Sequence, residues 1–213
     1  MSRELVCIGD ILYTPKLMKN ELVTIAEELN FTLRATHWNS EDTMEKFAQR
    51  VMQIEKAGPK SVMEPEDPED LLKTAEVIVV NFAPVSEAMI KKAGNLRLIG
   101  VLRGGFENVD VAAAAKHNIT VVNSPGRNAD AVADYTVALM LAENRNLVRN
   151  SLAMKSGEWK KKNSNESYVW DLNGKTVGIV GFGEIGRKVA KRLLGFGMNI
   201  LVYDPYVDKE IIK

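Results

Sequence analysis

The stretch that decides the fold is Thr176-Val177-Gly178-Ile179-Val180-Gly181-Phe182-Gly183-Glu184-Ile185-Gly186. Its first five residues show no polar alternation, which predicts a parallel strand buried on both faces. The next three glycines have the spacing of a dinucleotide-binding turn, in which they allow a tight turn, close approach of a pyrophosphate, and close packing of the following helix on the strand. Because glycine-rich turns also form simply where strands end, the interpretation depends on the flanking elements.

An acidic residue follows at the expected distance. The predicted second strand, 199–203, ends at Asp204, which lies 23 positions after Gly181. An acid about 20 residues after such a turn accepts hydrogen bonds from the adenosine ribose. Its charge would repel the 2′-phosphate of NADP, and Pro205 follows it instead of an arginine. Strand, turn, helix, strand and acid together predict the start of a Rossmann unit that prefers NAD.

Upstream of this unit, short apolar runs alternate with amphipathic stretches. The runs predict strands over 5–9, 31–36, 77–82, 98–102 and 119–122, and the stretches predict helices over 17–29, 43–57, 86–93 and 109–117. Strand and helix alternation of this kind is typical of a mostly parallel sheet covered on both faces. We therefore expect a flavodoxin-like α/β layer. A segment rich in proline and acidic residues, 58–70, predicts a surface connection.

A turn at Asn123-Ser124-Pro125-Gly126 and a long apolar-periodic helix over about 130–150 mark the expected domain boundary. The prediction is a first domain over 1–124 and a second over 125–213. Between the long helix and the strand that begins at Thr176, residues 155–173 are polar but carry Trp159, Tyr168 and Trp170. That aromatic content argues against a disordered linker, so we expect these side chains to pack on something.

Composition narrows the classes of function. The 213 residues include 28 Lys plus Arg and 28 Asp plus Glu, so no net charge recruits nucleic acid or acidic lipid. The single cysteine, Cys7, lies in an apolar run and predicts a buried strand residue in a reducing compartment. No stretch reaches the roughly 20 apolar residues of a membrane span. We expect a cytoplasmic protein with no nucleic-acid partner and no membrane contact, and we assign no metal ligand.

Three separated motifs carry a family resemblance. They are Arg103-Gly104-Gly105-Phe106-Glu107-Asn108-Val109-Asp110, Val122-Asn123-Ser124-Pro125-Gly126-Arg127-Asn128-Ala129 and the glycine-rich stretch at 177–186. With them the chain resembles the N-terminal portion of the D-isomer-specific 2-hydroxyacid dehydrogenases, in particular their phosphoglycerate-dehydrogenase-like branch. The resemblance implies that 1–124 form a substrate domain and that 125–213 form the first part of an NAD-binding domain, left incomplete.

The resemblance also implies site residues. Backbone amides of the loop at Arg103, Gly104 and Gly105 would hold the substrate carboxylate, although residue types alone are equally compatible with a plain strand-to-helix turn. The implied cofactor-binding residues are Val132, Gly181, Gly183, Glu184, Ile185, Gly186, Asp204 and Pro205. Val132 would lie near the nicotinamide, although a core position in an amphipathic helix suits valine equally. Two positions depart from the family: many relatives carry arginine in place of Glu184, and Phe106 stands where relatives often have a smaller residue.

No catalytic residue is assigned. In the family, a histidine, an arginine and a carboxylate serve hydride transfer, and all three would come from segments after Lys213. His37 and His117 follow a strand and close a helix, and Asp110, Asp130 and Asp134 lie near helix starts, where capping or a favourable dipole contact is their ordinary role. We therefore expect an N-terminal fragment that is inactive by itself.

Three functions follow as hypotheses. The first is an NAD-dependent oxidoreductase acting on the CH-OH group of a 2-hydroxy acid, or on the corresponding 2-oxo acid. The second is a non-catalytic, NAD-responsive dimerisation or corepressor-like binding module, and the third is a structural remnant without dinucleotide affinity. The resemblance further implies a homodimer formed through the nucleotide domain around 130–173. The aromatic side chains there would suit such a contact, with packing inside the chain as the alternative.

Overall fold

The computed structural model describes residues 3–65, 68–208 and 210. The chain splits into two compact units, Met1–Pro125 and Gly126–Lys213. Residues 66 and 67, in the predicted connection over 58–70, and residues 211–213, at the end of the predicted second domain, lie outside the described residues.

The first unit is built on a five-stranded parallel sheet. Its strands are β1 Arg3–Gly9, β2 Phe31–His37, β3 Ala75–Val80, β4 Leu98–Val101 and β5 Thr120–Val122. The strand order is β2-β1-β3-β4-β5, and every neighbouring pair is parallel. This is the flavodoxin-like order. The predicted fold class is confirmed, and each of the five predicted strands forms.

Five helices connect these strands. They are α1 Pro15–Glu28, α2 Met44–Ala57, α3 Pro68–Thr74, α4 Glu87–Lys92 and α5 Val111–Lys116. Four of them begin at a side chain that accepts a hydrogen bond from a backbone amide of the first turn: Thr14, Thr43, Ser86 and Asp110. Such caps satisfy amides that have no partner within the helix, which explains why the helices start where they do.

The uninterrupted apolar character of β1 follows from burial on both faces of the sheet. Val6 and Ile8 belong to the larger core, whereas Leu5 and Cys7 pack with Met18 of α1 on the other face. Cys7 is fully buried, as predicted for a strand residue. Burial raises the pKa of its thiol to about 12. The thiol is therefore protonated at neutral pH and is a poor nucleophile.

The second unit contains α6 Ala129–Asn144, α7 Leu147–Lys155, β6 Thr176–Val180, α8 Glu184–Leu194 and β7 Asn199–Tyr203. The prediction of one helix over 130–150 was wrong, because two helices meet there. Asn146 has φ 55°, in the left-handed region, where a helix cannot continue. Asparagine tolerates that conformation better than most residues, so the break is local and stable.

β6 and β7 pair in parallel and form a two-stranded sheet in the part of the chain that the structure describes. Val177 and Ile179 face a small core with Val189 and Leu193 of α8. On the opposite face Val180 is 85% exposed. The prediction that β6 is buried on both faces was therefore wrong for this chain, since only one face of the strand is covered.

The aromatic segment before β6 is exposed. Trp159, Tyr168 and Trp170 are 77%, 69% and 51% exposed. Tyr168 and Trp170 meet edge to face with ring centroids 6.2 Å apart, and the Lys175 ammonium lies 5.4 Å from the Trp170 ring. These contacts leave most of the aromatic surface in solvent, so the three side chains join no core among the described residues. None of the helices described is both long and apolar enough to cross a membrane.

Candidate functional site

The glycine-rich turn connects β6 to α8, and its three motif glycines differ in conformation and surroundings. Gly181 has φ 94°, which side chains of L-residues rarely adopt. A Cβ on Gly186 would overlap the carbonyl oxygen of Gly181, so the start of the helix lies directly on the turn. A Cβ on Gly183 would meet nothing within 4 Å. The turn therefore has free space beside Gly183 and is closely packed against the start of α8 at Gly186.

The first turn of α8 carries one negative and one positive side chain. Glu184 is exposed, and its Oε1 lies 3.9 Å from the Nη2 of Arg187. Arg187 Nε also donates to the carbonyl oxygen of Phe182 at 3.2 Å, which ties the helix back to the turn. The sequence predictions missed Arg187, although its position three residues after Glu184 could have revealed it.

Asp204 joins the end of β7 to the same turn. Its Oδ2 accepts from the Phe182 amide at 2.6 Å, and its Oδ1 accepts from the amides of Tyr206 at 2.8 Å and Val207 at 3.1 Å. These bonds, the one from Phe182 first, hold the pKa of the Asp204 carboxyl below its usual value. The ionised group keeps further lone pairs for hydroxyl donors. Pro205 follows it, exposed at the surface.

An apolar cavity of about 370 Å³ lies within the second unit. It is lined by Gly181, Ile185 and Gly186 of the turn and helix, by β6, and by Thr136 and Met140 of α6. Val132, one helical turn before Thr136, is half-buried, and its carbonyl accepts from Thr136 Oγ1 at 2.7 Å. Thr136 and Met140 were not predicted, although their i, i+4 spacing from Val132 places all three on one helix stripe.

The loop at Arg103, Gly104 and Gly105 follows β4 in the first unit. Its carbonyls are tied down: that of Arg103 accepts from the Ser124 amide at 3.0 Å, and that of Gly104 accepts from Asn123 Nδ2 at 2.6 Å. Among the described residues, no acceptor takes the amide hydrogen of Gly104 or Gly105. The loop therefore has bonded carbonyls and amides without an acceptor, an arrangement that suits a bound anion.

The Arg103 side chain is held by two carboxylates. Its Nη2 lies 3.0 Å from Glu55 Oε1 and 3.4 Å from Glu107 Oε2, and its guanidinium carbon lies 4.2 Å from the centroid of the Phe82 ring. Neither glutamate was predicted. Glu107 has helical i, i+4 spacing from Arg103 outside a helix, and Glu55 is 48 residues away, so no local pattern indicates either contact.

Both histidines have structural surroundings. His37 Nδ1 lies 3.0 Å from the carbonyl oxygen of Trp38. His117 ends α5, where its amide donates to the carbonyls of Ala113 and Ala114. The described residues contain no group of three or more His, Cys, Asp and Glu side chains that could hold a metal ion.

The parallel layers, the glycine-rich turn and the acid after β7 define the class: an α/β protein with the opening βαβ unit of a dinucleotide-binding domain. The sequence model of the D-isomer specific 2-hydroxyacid dehydrogenase NAD binding domain matches residues 137–213. The chain is similar to this family of D-isomer-specific 2-hydroxyacid dehydrogenases, and the match confirms NAD as the predicted cofactor at the level of that domain.

Individual relatives support the same assignment. The chain is 42% identical over 143 residues to the D-3-phosphoglycerate dehydrogenase of Methanocaldococcus jannaschii, covering 67% of this chain and 27% of that protein. It is 35% identical over 193 residues to the glyoxylate reductase of Thermococcus litoralis, covering 85% and 56%. The NAD complex of formate dehydrogenase from Staphylococcus aureus superimposes with a TM-score of 0.65 and 26% identity, covering 95% and 56%. The chain thus spans between about a quarter and just over half of these relatives.

Proposed function

We propose that this chain provides the acid-binding loop and the first half of the cofactor site of an NAD-dependent oxidoreductase acting on a 2-hydroxy or 2-oxo acid. Residues 1–124 would be the substrate domain and residues 125–213 the first part of the NAD-binding domain. The observation that carries the proposal is the turn at Gly181 to Gly186, which is open at Gly183, packed at Gly186 and bonded to the ionised Asp204. When bound, the nicotinamide supplies or accepts the hydride.

Each proposed contact has a physical basis in the chain. The pyrophosphate would lie against Gly183 and accept from the amides of Glu184 and Ile185, which begin α8 and lie at the positive end of its dipole. Asp204 would accept from the ribose hydroxyls. Val132 would line the nicotinamide side, and the free amides of the 103–105 loop would bind the carboxylate of the acid.

Calorimetric titration of the 213-residue chain with NADH and with NADPH tests the cofactor assignment. NADH should bind at least about tenfold more tightly, because the Asp204 charge repels a 2′-phosphate. Absence of NADH binding would leave only the structural-remnant hypothesis.

Turnover with NADH and glyoxylate tests the catalytic part of the proposal. We expect no turnover from this chain, since both histidines have structural positions. Turnover would show that the described residues contain the base.

Glu184→Arg is expected to strengthen NADH binding by about three- to tenfold. The substitution replaces a negative charge beside the proposed pyrophosphate with a positive one at the start of a helix. Arg187, which lies next to Glu184, already contributes one positive charge there. Glu184→Gln is the matched control and should give a smaller gain, because it only removes the negative charge. Both gains should shrink as salt is added. Unchanged affinity in both variants would mean that the diphosphate does not lie at this helix end.

We also propose that the second unit self-associates through α7 and the aromatic segment 159–170. Leu147, Val148 and Leu152 of α7 are 58%, 62% and 60% exposed, and the three aromatic side chains add to this apolar surface. Large apolar and aromatic side chains exposed in this number are typical of protein interfaces. Sedimentation equilibrium should detect a dimer that Leu152→Glu weakens, whereas Lys191→Glu, at an exposed position of α8 outside the proposed interface, serves as a charge control. A wild-type chain that stays monomeric at high concentration would contradict the proposal.

A further inference from the structure

The guanidinium of Arg103 is paired with two carboxylates, those of Glu55 and Glu107. At neutral pH one arginine and two glutamates carry a formal charge of minus one. We propose that this cluster makes the 103–105 loop selective for 2-oxo and 2-hydroxy acids whose only anionic group is the carboxylate, and that Glu55 and Glu107 reject acids with a terminal phosphate. This inference rests on the proposed function of the loop.

Arg103 is unavailable to a phosphate. Arginine is the side chain best suited to bind a phosphate, through two parallel hydrogen bonds. Here the side chain is only 12% exposed, stacks on Phe82 and is bonded to Glu55 at 3.0 Å. Its Nη1 has no hydrogen-bond partner among the described residues, but this atom is buried, so a phosphate could reach it only by displacing the side chains around it. The loop therefore offers an acid its backbone amides, which suit a carboxylate, without a free cation for a second anionic group.

Glu107 brings its negative charge directly onto the loop. A Cβ on Gly105 would overlap the Glu107 carboxylate, so that carboxylate lies against the Gly105 backbone. In a three-carbon acid, the phosphate lies closer to the carboxylate than the Debye length of about 8 Å at physiological salt. A phosphate carrying nearly two negative charges would therefore be repelled by Glu107, and by the partly exposed Glu55, with little screening.

The family itself leaves this choice open. Its members include proteins named D-3-phosphoglycerate dehydrogenase, which are similar to this chain, and others named hydroxypyruvate reductase and glyoxylate reductase. Those names span phosphorylated and unphosphorylated acids. The charge around Arg103 places this chain on the unphosphorylated side.

The test compares hydroxypyruvate with 3-phosphohydroxypyruvate, which differ only in the phosphate. Each acid is titrated, by ligand-observed NMR, into the 213-residue chain saturated with NADH. Hydroxypyruvate should bind at least about tenfold more tightly. The double variant Glu55→Gln with Glu107→Gln should reduce that ratio by at least about threefold, because the amides keep the shape and can still accept from Arg103. Glu45→Gln, at the other end of α2, is the control and should leave the ratio unchanged.

The outcomes separate the two proposals. Equal or tighter binding of the phosphorylated acid by the wild-type chain would overturn the selectivity inference alone. The same conclusion would follow if the double variant unfolds thermally like the wild type and binds the two acids with an unchanged ratio of affinities. Failure of both acids to bind, with NADH bound, would overturn the proposed acid-binding function and the inference with it. The inference is supported if the double variant lowers the ratio of the two affinities and if high salt lowers the same ratio in the wild-type chain.

Discussion

Replacing Gly186 with alanine is expected to abolish NADH binding and to reduce the free energy of unfolding of the second unit by about 3 kcal/mol. The added Cβ would overlap the carbonyl oxygen of Gly181 and lie 3.1 Å from its carbonyl carbon. Both atoms belong to the backbone of the turn, so no side chain can rotate to relieve the overlap. The start of α8 would have to move away from β6, and the amides proposed to hold the pyrophosphate would move with it.

Two further glycines provide matched controls for this experiment. Gly178→Ala adds the same methyl group on β6, where a Cβ meets nothing within 4 Å, and should change stability by less than about 0.5 kcal/mol and leave NADH binding intact. Gly183→Ala should fold equally well, yet lose at least about tenfold in NADH affinity, because its methyl group would occupy the space assigned to the pyrophosphate.

Denaturant unfolding and calorimetric titration of the three variants separate packing from binding. If Gly186→Ala folds and binds NADH like the wild type, the helix does not need its close contact with the turn. If Gly183→Ala also binds normally, the open side of the turn is not where the dinucleotide lies. Either result would remove the main support for the proposed cofactor site.

The sequence predicted the first unit closely because its central strands, β1 and β3, are buried on both faces. Runs such as the one containing Cys7 have few other structures available to them, and helix starts at Thr43, Ser86 and Asp110 are marked by capping residues. Periodicity and caps are local signals, so one sequence suffices to recognise them.

The errors occurred where the outcome depends on something other than local pattern. The apolar period of α6 runs on into α7, and the single left-handed residue Asn146 that divides them leaves that period unchanged. The exposure of Val180 depends on what covers the second face of β6, and the exposure of Trp159 depends on what packs against it. An apolar run predicts a surface that can be buried, and it does not identify the partner that buries it.

The residues of the candidate site also include some that local sequence reveals and others that only the tertiary structure brings together. The glycine spacing and Asp204 were visible because the turn and the two strands are continuous in sequence. The contact between Arg103 and Glu55 was not visible, since it joins a loop after β4 to α2 over 48 residues. Charge pairing across that distance depends on the tertiary structure, which is why the proposed selectivity of the loop could not be predicted from local sequence.

Asp204→Asn is expected to weaken NADH binding by about tenfold and to strengthen NADPH binding, so that the preference between the two cofactors nearly disappears. The amide oxygen can still accept from the Phe182 backbone, whereas the NH2 group cannot accept from Tyr206 and Val207. The substitution therefore keeps the bond to the glycine-rich turn and removes the charge that repels a 2′-phosphate. Asp204→Ala would remove both. It should therefore weaken both cofactors, because the turn loses the bonds from Phe182, Tyr206 and Val207 together.

The pH dependence follows from the lowered pKa of Asp204, whose chief cause is the hydrogen bond from the Phe182 amide. A carboxyl group with a folded pKa below its unfolded value, which is about 3.9, stabilises the folded state above that value. This contribution is lost as the pH falls through the still lower folded pKa. Asp204 should consequently stay charged from pH 8 down to about pH 5, so the wild-type preference for NADH should change over that range only as the 2′-phosphate of NADPH takes up a proton near about pH 6. Asp204→Asn should show almost no preference throughout. Fluorescence titration with NADH and NADPH at each pH measures the ratio. A change near neutral pH in the wild-type affinity for NADH, which has no 2′-phosphate, would show that a group other than Asp204 binds the ribose.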